Sequence, residues 1–186
     1  MLRESHCGIS LLTAQLINAV LWLGHSTPVP LLPEQIASRY QGRYQPVNVR
    51  KQDQVVGAAI DKSLASFNVL IRWRAGNLLR QNNKIAPEVR ISTQGKKILV
   101  MTPLRKSWWT KLNGKPRSIT TATGLKASLS RSIESGRLVE RFVSERGKRT
   151  HHISLNRDGT ILLWRVVVES KELPKPIRYT LKYRRR

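Results

Sequence analysis

The residues of this chain that could bind a metal ion are few and widely separated. His151 and His152 are adjacent in a segment that alternates like a strand, and adjacent strand residues point to opposite faces of a sheet. They therefore cannot easily chelate one ion, and His6 and His25 lie in or beside an N-terminal apolar segment. The single cysteine, Cys7, excludes an intramolecular disulfide and a zinc site built from Cys-x-x-Cys pairs. The sequence predicts no metal site and no cofactor.

Four acidic residues of the C-terminal half could supply a carboxylate pair for general acid–base catalysis. They are Glu134, Glu140, Glu145 and Glu169. Arginines surround them in the sequence, so salt bridges are the simpler role. The chain has no Gly-x-Ser-x-Gly nucleophile motif and no Walker loop. We therefore predict no catalytic residues and no enzymatic activity.

The charge of the chain is strongly positive. Lys and Arg number 34 against 11 Asp and Glu, for a formal net charge of +23. Such an excess favours an anionic partner, although a merely solvated basic surface is the alternative. The candidate anion-binding residues stand near the end of the chain: Arg178, Lys182, Arg184, Arg185 and Arg186. Envelope polysaccharide, lipid headgroups and nucleic acid are the candidate polyanions, with nucleic acid disfavoured if the chain is exported.

The first 26 residues are typical of a secretory signal peptide. A short charged start precedes the apolar run GISLLTAQLINAVLWLG at residues 8–24, and small residues follow it. This predicts a periplasmic or secreted protein. The alternatives are an uncleaved anchor in the inner membrane, for which the run is short and interrupted by Gln and Asn, and an ordinary folded helix.

The rest of the chain is predicted to be one domain, residues 37–186, after a proline-rich linker at residues 27–36. A first strand is expected at residues 36–47. Apolar residues then recur at spacings of three and four from Val56 to Leu78, which predicts an amphipathic helix at about residues 53–81. Asp53 is the expected N-cap, and the β-prone residues 69–73 indicate a break near Asn68.

After Pro87 the chain is expected to consist of strands and turns. Ser135-Gly136, residues 145–147 and residues 156–159 are turn signals between strand-like runs. Asn113-Gly114 is the strongest hairpin signal, and it predicts pairing of residues 107–112 with residues 115–121. About nine strands follow the helix. Alternation from residue 177 to residue 184 places apolar side chains on one face and basic side chains on the other, the pattern of an antiparallel barrel or sandwich.

The C-terminal half resembles that of small secreted bacterial proteins with a lipocalin-like barrel. The resemblance rests on the Asp158-Gly159 turn, the long strand after it, the Leu-Pro-Lys-Pro connection at residues 173–176, and a last strand with Tyr179 and Tyr183. Gly42-Arg43-Tyr44 stands where lipocalins carry Gly-x-Trp. The resemblance implies an up-and-down β-barrel of the calycin type that could hold one apolar ligand, and it carries over no catalytic residue.

We therefore expect a mainly β protein, an antiparallel up-and-down barrel with one amphipathic helix after the first strand. Its expected function is non-enzymatic binding, outside the cytoplasm, of a small apolar ligand or lipid. The alternative is binding of an anionic polymer by the basic surface. The side chains expected to line the interior are Ile91, Leu129, Phe142, Ile153, Trp164, Val166 and Tyr179. A barrel of about eight strands could equally be filled by its own side chains.

Overall fold

Ten strands form one sheet in which every neighbouring pair is antiparallel. The computed structural model describes residues 31–121 and 124–186, so the predicted signal peptide and residues 27–30 of the predicted linker lie outside it. The strands are β1 (Gly42–Pro46), β2 (Val89–Gln94), β3 (Lys97–Met101), β4 (Thr110–Lys111), β5 (Arg117–Thr120), β6 (Lys126–Glu134), β7 (Arg137–Ser144), β8 (Gly147–Leu155), β9 (Ile161–Glu169) and β10 (Ile177–Arg185). The helices are α1 (Pro33–Ser38), α2 (Val49–Ser63) and α3 (Val69–Asn82).

The strand order is β4-β3-β2-β1-β10-β9-β8-β7-β6-β5, which is an up-and-down meander closed through its first and last strands. β1 pairs with both β2 and β10. The sheet curls into a nearly closed barrel, which confirms the predicted fold class. Among the described residues, no helix is long and apolar enough to span a bilayer.

The seam of the barrel lies between β4 and β6, and a hairpin expected there does not form. The two-residue β4 pairs with β3, and β5 pairs with β6, so the segments flanking Asn113-Gly114 do not pair with each other. Gly114 has the expected positive φ of 71°, yet its N–H donates to the carbonyl of Arg131 at 2.9 Å. Pro116 follows immediately and has no N–H to donate to a ladder. The Asn-Gly segment therefore crosses the seam instead of turning back on itself.

The single helix expected at residues 53–81 is two helices. The Asn48 side chain accepts a hydrogen bond from the Lys51 N–H at 2.9 Å and caps α2, so Asp53 is an interior residue and not the N-cap. Asn68 caps α3 in the same way, accepting from the Ile71 N–H at 2.9 Å. The break near Asn68 is confirmed, because a second asparagine there starts a new helix.

The segment before β1 also differs from the prediction. The sequence predicts a linker up to residue 36 and a first strand from residue 36, but Pro33–Ser38 form α1. Proline at the first helical position suits a helix start, because its missing N–H would have no partner there. The first strand therefore begins only at Gly42.

Helix α2 fills the space that the short β1 leaves beside β10. Val56, Ile60 and Leu64 are buried with the barrel's inner side chains in one core. Beyond the end of β1, the Gln52 amide replaces a strand: its Nε2 donates to the Lys182 carbonyl at 3.1 Å, and its Oε1 accepts from the Lys182 N–H at 2.6 Å. The glutamine side chain thus gives the Lys182 N–H its partner, while the Lys182 carbonyl also accepts from the Val47 N–H at 3.0 Å.

Candidate functional site

The seven side chains predicted to line the interior all face into the barrel. Directly paired residues of antiparallel strands share a face, and the register pairs Tyr179 with Val166, Ile153 with Trp164 and Leu129 with Phe142. Ile91 faces the same way and is buried in the common core. Six of the seven are buried and Phe142 is half-buried. Their role as ligand contacts remains a prediction.

The cavity that some of these side chains line is small. A cavity of about 40 Å³ remains between β8, β9, β10 and the residues that follow α3. Trp164, Val166 and Tyr179 reach it, whereas Ile91, Leu129, Phe142 and Ile153 do not line it. Sites for drug-sized ligands commonly have about 300 Å³ or more. A lipid could enter this barrel only if part of the wall moved.

One end of the cavity carries a cation that the sequence analysis did not single out. The Arg149 Nη2 donates to the Asn83 Oδ1 at 2.7 Å, and the Tyr179 hydroxyl donates to the same oxygen at 2.8 Å. Arg149 has no carboxylate partner among the residues that the structure describes. Burial, together with the neighbouring Arg105 guanidinium, lowers the pKa of Arg149 to about 10. The cavity therefore ends at a positive charge in surroundings that disfavour it.

The two-residue alternation of β8 could have identified Arg149 from the sequence as an inward-facing residue. Arg149, His151 and Ile153 are spaced by two and share the inward face of β8. An arginine in register with core residues is unusual, because an arginine side chain is rarely buried without a partner. The partnership with Asn83 had no such signal, because the two residues are far apart in the chain.

The second charged group in the barrel is an ion network at the seam. The Arg131 Nε donates to the Glu140 Oε2 at 2.5 Å, and the His151 Nδ1 lies 2.9 Å from the Glu140 Oε1. All three side chains are buried. The Arg131 Nη1 also donates to the carbonyls of Trp108 at 2.7 Å and Ile98 at 3.2 Å, so this side chain holds β6 to the β3–β4 side of the seam.

The ionisation of this network follows from its contacts. Burial alone would raise the pKa of Glu140, but the Arg131 charge and the His151 contact outweigh it and lower the pKa to about 2. Burial lowers the pKa of His151 to about 4 despite the hydrogen bond with Glu140. At neutral pH the network is a buried arginine–glutamate pair beside a neutral imidazole.

Two of the other three glutamates form the expected salt bridges, whereas Glu145 forms none within the described residues. Glu134 pairs with Arg141 at 2.7 Å and Glu169 with Lys148 at 3.8 Å. His151 and His152 lie on opposite faces, as expected, since His151 is buried and His152 is half-buried on the outer face. No cluster suited to a metal ion occurs in residues 31–121 and 124–186.

The candidate anion-binding residues divide into two groups. Arg178, Lys182 and Arg184 are exposed on the outer face of β10, and the side chain of Arg186 is exposed at its end. Arg185 differs from the prediction: its guanidinium lies 5.3 Å from the Tyr44 ring centroid and donates to the Tyr44 hydroxyl at 2.7 Å. The alternation of the strand turns Arg185 inward, so it braces the barrel's end and is not part of the outer basic face.

A cleft of about 310 Å³ lies at the opposite end of the barrel from Arg149. The turn between β6 and β7, the end of β8 and helix α1 enclose it, and Arg39 and Arg137 are its charged residues. The Tyr40 hydroxyl donates to the Gly136 carbonyl at 3.0 Å and ties α1 to that turn. None of the seven predicted interior residues lines this cleft.

Comparison with known proteins supports the fold. No family model matches the chain, and no curated protein matches it. Among solved structures, a REP1-NXSQ fatty acid transporter aligns with a TM-score of 0.50 at 14% identity over 80% of this chain and 97% of its own. A secretary abundant heat soluble protein from Ramazzottius varieornatus aligns with a TM-score of 0.51 at 11% identity over 80% and 96%. The fluorescent protein UnaG aligns with a TM-score of 0.52 at 13% identity over 81% and 99%. Identities this low show a shared fold, the calycin-type β-barrel.

Proposed function

We propose that this protein is a non-enzymatic binding protein whose barrel takes an apolar ligand with an anionic end group, such as a fatty acid. The observation that carries the proposal is Arg149, a partly buried cation at one end of the small cavity with no carboxylate partner in the described chain. A charge that is partly withdrawn from water and has no counter-charge is costly. A carboxylate would supply charge-assisted hydrogen bonds where Arg149 now donates to neutral amide and carbonyl oxygens.

The apolar part of the ligand would lie among the inward side chains of β8, β9 and β10. Trp164, Val166 and Tyr179 already face the small cavity. One of the proteins that share the fold is described as a fatty acid transporter, which supports an apolar ligand for this barrel. Placement outside the cytoplasm is part of the proposal and rests on the signal-peptide character of residues 1–26.

Entry of a ligand requires part of the wall to move, because the cavity holds only about 40 Å³. Helix α3 is the natural element to move, since only Gly76 among its fourteen residues is buried. Asn83 directly follows α3 and bonds both Arg149 and Tyr179. Displacing the end of α3 would therefore enlarge the cavity and free Arg149 in one step.

The test compares a long-chain fatty acid with the alcohol of the same chain length in displacing a fluorescent fatty-acid analogue from the full chain. The wild-type protein should bind the acid about tenfold or more tightly than the alcohol, the usual value of a hydrogen bond to a charged group. Arg149→Gln should remove that preference and leave binding of the alcohol unchanged. Arg165→Gln, the same charge change on the outer face of β9, is the matched control and should keep the preference.

Two outcomes would count against the proposal. If the folded wild-type protein binds neither compound, the barrel does not take a ligand of this class. If it binds both equally and Arg149→Gln changes nothing, the ligand is purely apolar and Arg149 has a structural role.

A second candidate function is binding of an anionic polymer on the outer face of β1, β10 and β9. Five exposed cations share this face, and none of them forms an ion pair within the described residues: Arg43, Arg165, Arg178, Lys182 and Arg184. Replacing Arg178, Lys182 and Arg184 by Gln should weaken binding to heparin and flatten its salt dependence. Unchanged affinity and slope would leave this face as an ordinary solvated surface.

A further inference from the structure

Helix α3 exposes an unusual amount of apolar side chain to solvent. Val69 is 80% exposed, Leu70 75% and Trp73 66%. Ile71 and Leu78 are also exposed, so five of the twelve large apolar side chains exposed in the described chain stand on one fourteen-residue helix. Single exposed apolar residues need no explanation, but a concentration of them marks an interaction surface.

The exposed side chains form a compact patch at the start of α3. Val69 and Trp73 are four residues apart and therefore neighbours on the helix surface, as are Leu70 and Arg74. We call Val69, Leu70, Trp73 and Arg74 the α3 patch. It combines two aliphatic side chains, an indole and a guanidinium that has no ion-pair or hydrogen-bond partner among the described residues.

The patch is held in place by contacts that do not use its own side chains. Asn68 caps the helix, and the Arg72 Nη2 donates to the carbonyls of Ala65 and Phe67 at 3.0 and 2.9 Å. Arg80 pairs with Asp61 of α2 at 2.5 Å. Helix α3 is thus joined to α2 by this ion pair, while its first turns project outward.

The surroundings of the patch are positively charged. Residues 47–84 contain seven Lys and Arg against two Asp, and α3 itself contains no acidic residue. One of the two acids, Asp61, is already paired with Arg80. Aliphatic and indole side chains beside basic ones are the composition of helices that lie at the interface of anionic bilayers. Such a helix contacts acyl chains through its apolar residues and acidic headgroups through its basic ones.

We propose that α3 docks the protein on the surface of an anionic lipid bilayer, with Val69, Leu70 and Trp73 entering the interface and Arg74 contacting headgroups. The helix would lie in the plane of the membrane, since at ~1.5 Å per residue it is far shorter than the ~30 Å apolar thickness of a bilayer. A second copy of the chain is a poorer occupant, because each copy carries a formal charge of +23. The docking does not depend on what the barrel binds.

The test is co-sedimentation of the full chain with vesicles of phosphatidylcholine alone or mixed equally with phosphatidylglycerol. The double variant Leu70→Ser, Trp73→Ser should lower partitioning onto the anionic vesicles about tenfold or more, because burying one large apolar side chain is typically worth that factor. Both side chains are largely exposed, so the variant should fold like the wild type, as circular dichroism can verify. Val143→Ser, at an exposed apolar residue on β7, is the matched control and should bind like the wild type.

The apolar run at residues 8–24 is present in all of these proteins, so differences between them report on α3. Equal binding of the wild type and the double variant would overturn the proposal. So would equal binding to both kinds of vesicle, because the basic surroundings would then play no part. Dimerisation of the wild type that the double variant abolishes would also overturn it and assign the α3 patch to self-association.

Discussion

At the residue scale, the buried network of Arg131, Glu140 and His151 holds the two sides of the barrel's seam together. Its hydrogen bonds connect β6, β7 and β8 with the carbonyls of Ile98 and Trp108 across the gap that β4 and β5 leave. Glu140 is flanked by a cation and an imidazole, and no second buried acid accompanies it in the described chain. These groups therefore hold charge in fixed positions and are not arranged as an acid–base pair.

The pKa of His151 predicts a loss of stability in mild acid. The imidazole is neutral in the folded protein down to about pH 4, whereas in the unfolded chain it takes up a proton near its ordinary value of 6.5. Between those values the unfolded state binds more protons, so the free energy of unfolding should fall by up to about 3 kcal/mol as the pH drops from 6.5 to 4. Urea denaturation at several pH values measures this slope.

The matched variants for this prediction are His151→Gln and His152→Gln. His151→Gln should remove most of the slope between pH 6.5 and 4, because glutamine can still donate to Glu140 and does not titrate. His152 is half-buried, so His152→Gln should leave most of the pH dependence of the free energy of unfolding unchanged. A wild-type protein equally stable at pH 6.5 and 4 would contradict the assignment.

Arg131 gives a second prediction at this scale. Arg131→Met leaves Glu140 charged and buried and removes the donors to the carbonyls of Trp108 and Ile98. Breaking a buried ion pair on one side usually costs about 3 to 5 kcal/mol. The double variant Arg131→Met, Glu140→Gln should recover part of this loss, since no charge is stranded. Denaturant unfolding of the wild type, the two single variants and the double variant forms a double-mutant cycle. Strictly additive losses in the free energy of unfolding would argue against an interaction between Arg131 and Glu140.

At the element scale, the turn between β6 and β7 stores backbone strain at one residue. Ser135 has φ of 48° and Gly136 of 73°, and positive φ at both central positions is the geometry of a type I′ hairpin. Ser135 is the one non-glycine with positive φ in residues 31–121 and 124–186. Asparagine is favoured at that position.

Ser135→Asn should therefore raise the free energy of unfolding by about 0.5 to 1 kcal/mol. Gly136→Ala should lower it, because alanine disfavours the same φ region. Urea denaturation of both variants at neutral pH decides the matter. Destabilisation by Ser135→Asn would show that the serine serves another purpose in this turn.

The elements that the sequence predicted well are those with a strict period. Alternation in β10 identified the inward set Ile177, Tyr179, Leu181 and Tyr183, and all four are buried. Because paired strands share a face, the five predicted interior residues of β6 to β9 lie on the same inner face, and their role as ligand contacts stays a prediction. Local pattern suffices where one face of a strand meets the core.

The elements that were misassigned depend on partners distant in the chain. Asn113-Gly114 has the local chemistry of a hairpin, but Arg131 accepts its N–H and the segment joins β6. The cap of α2 at Asn48 depends on where β1 ends. Beyond that point the Gln52 amide, and not β1, bonds the backbone of β10 at Lys182. Asn83 acquires its bonds to Arg149 and Tyr179 only once α3 and the barrel are assembled.

At the scale of the whole molecule, the excess of positive charge opposes the folded state. Lys and Arg outnumber Asp and Glu by 34 to 11, and within the described residues the exposed ion pairs, such as Arg80–Asp61, are few. Surface pairs contribute little and general repulsion is screened by salt. Adding sodium chloride at pH 7 should therefore raise the thermal unfolding midpoint by several degrees. A midpoint that falls with salt would show that local pairs outweigh the net charge.

The pairing of β1 with β10 has a consequence for how the protein is made. Tyr44 lies opposite Arg185, so the first strand meets the last, and Gln52 reaches its backbone partner only at Lys182. While a ribosome is still adding β10, the apolar side of α2 and the inner face of β2 have no cover. Contacts this distant in sequence make folding slow, and exposed apolar surface favours aggregation. Nascent chains arrested before Ile177 should be digested readily by protease, because this barrel can close only once β10 has been made.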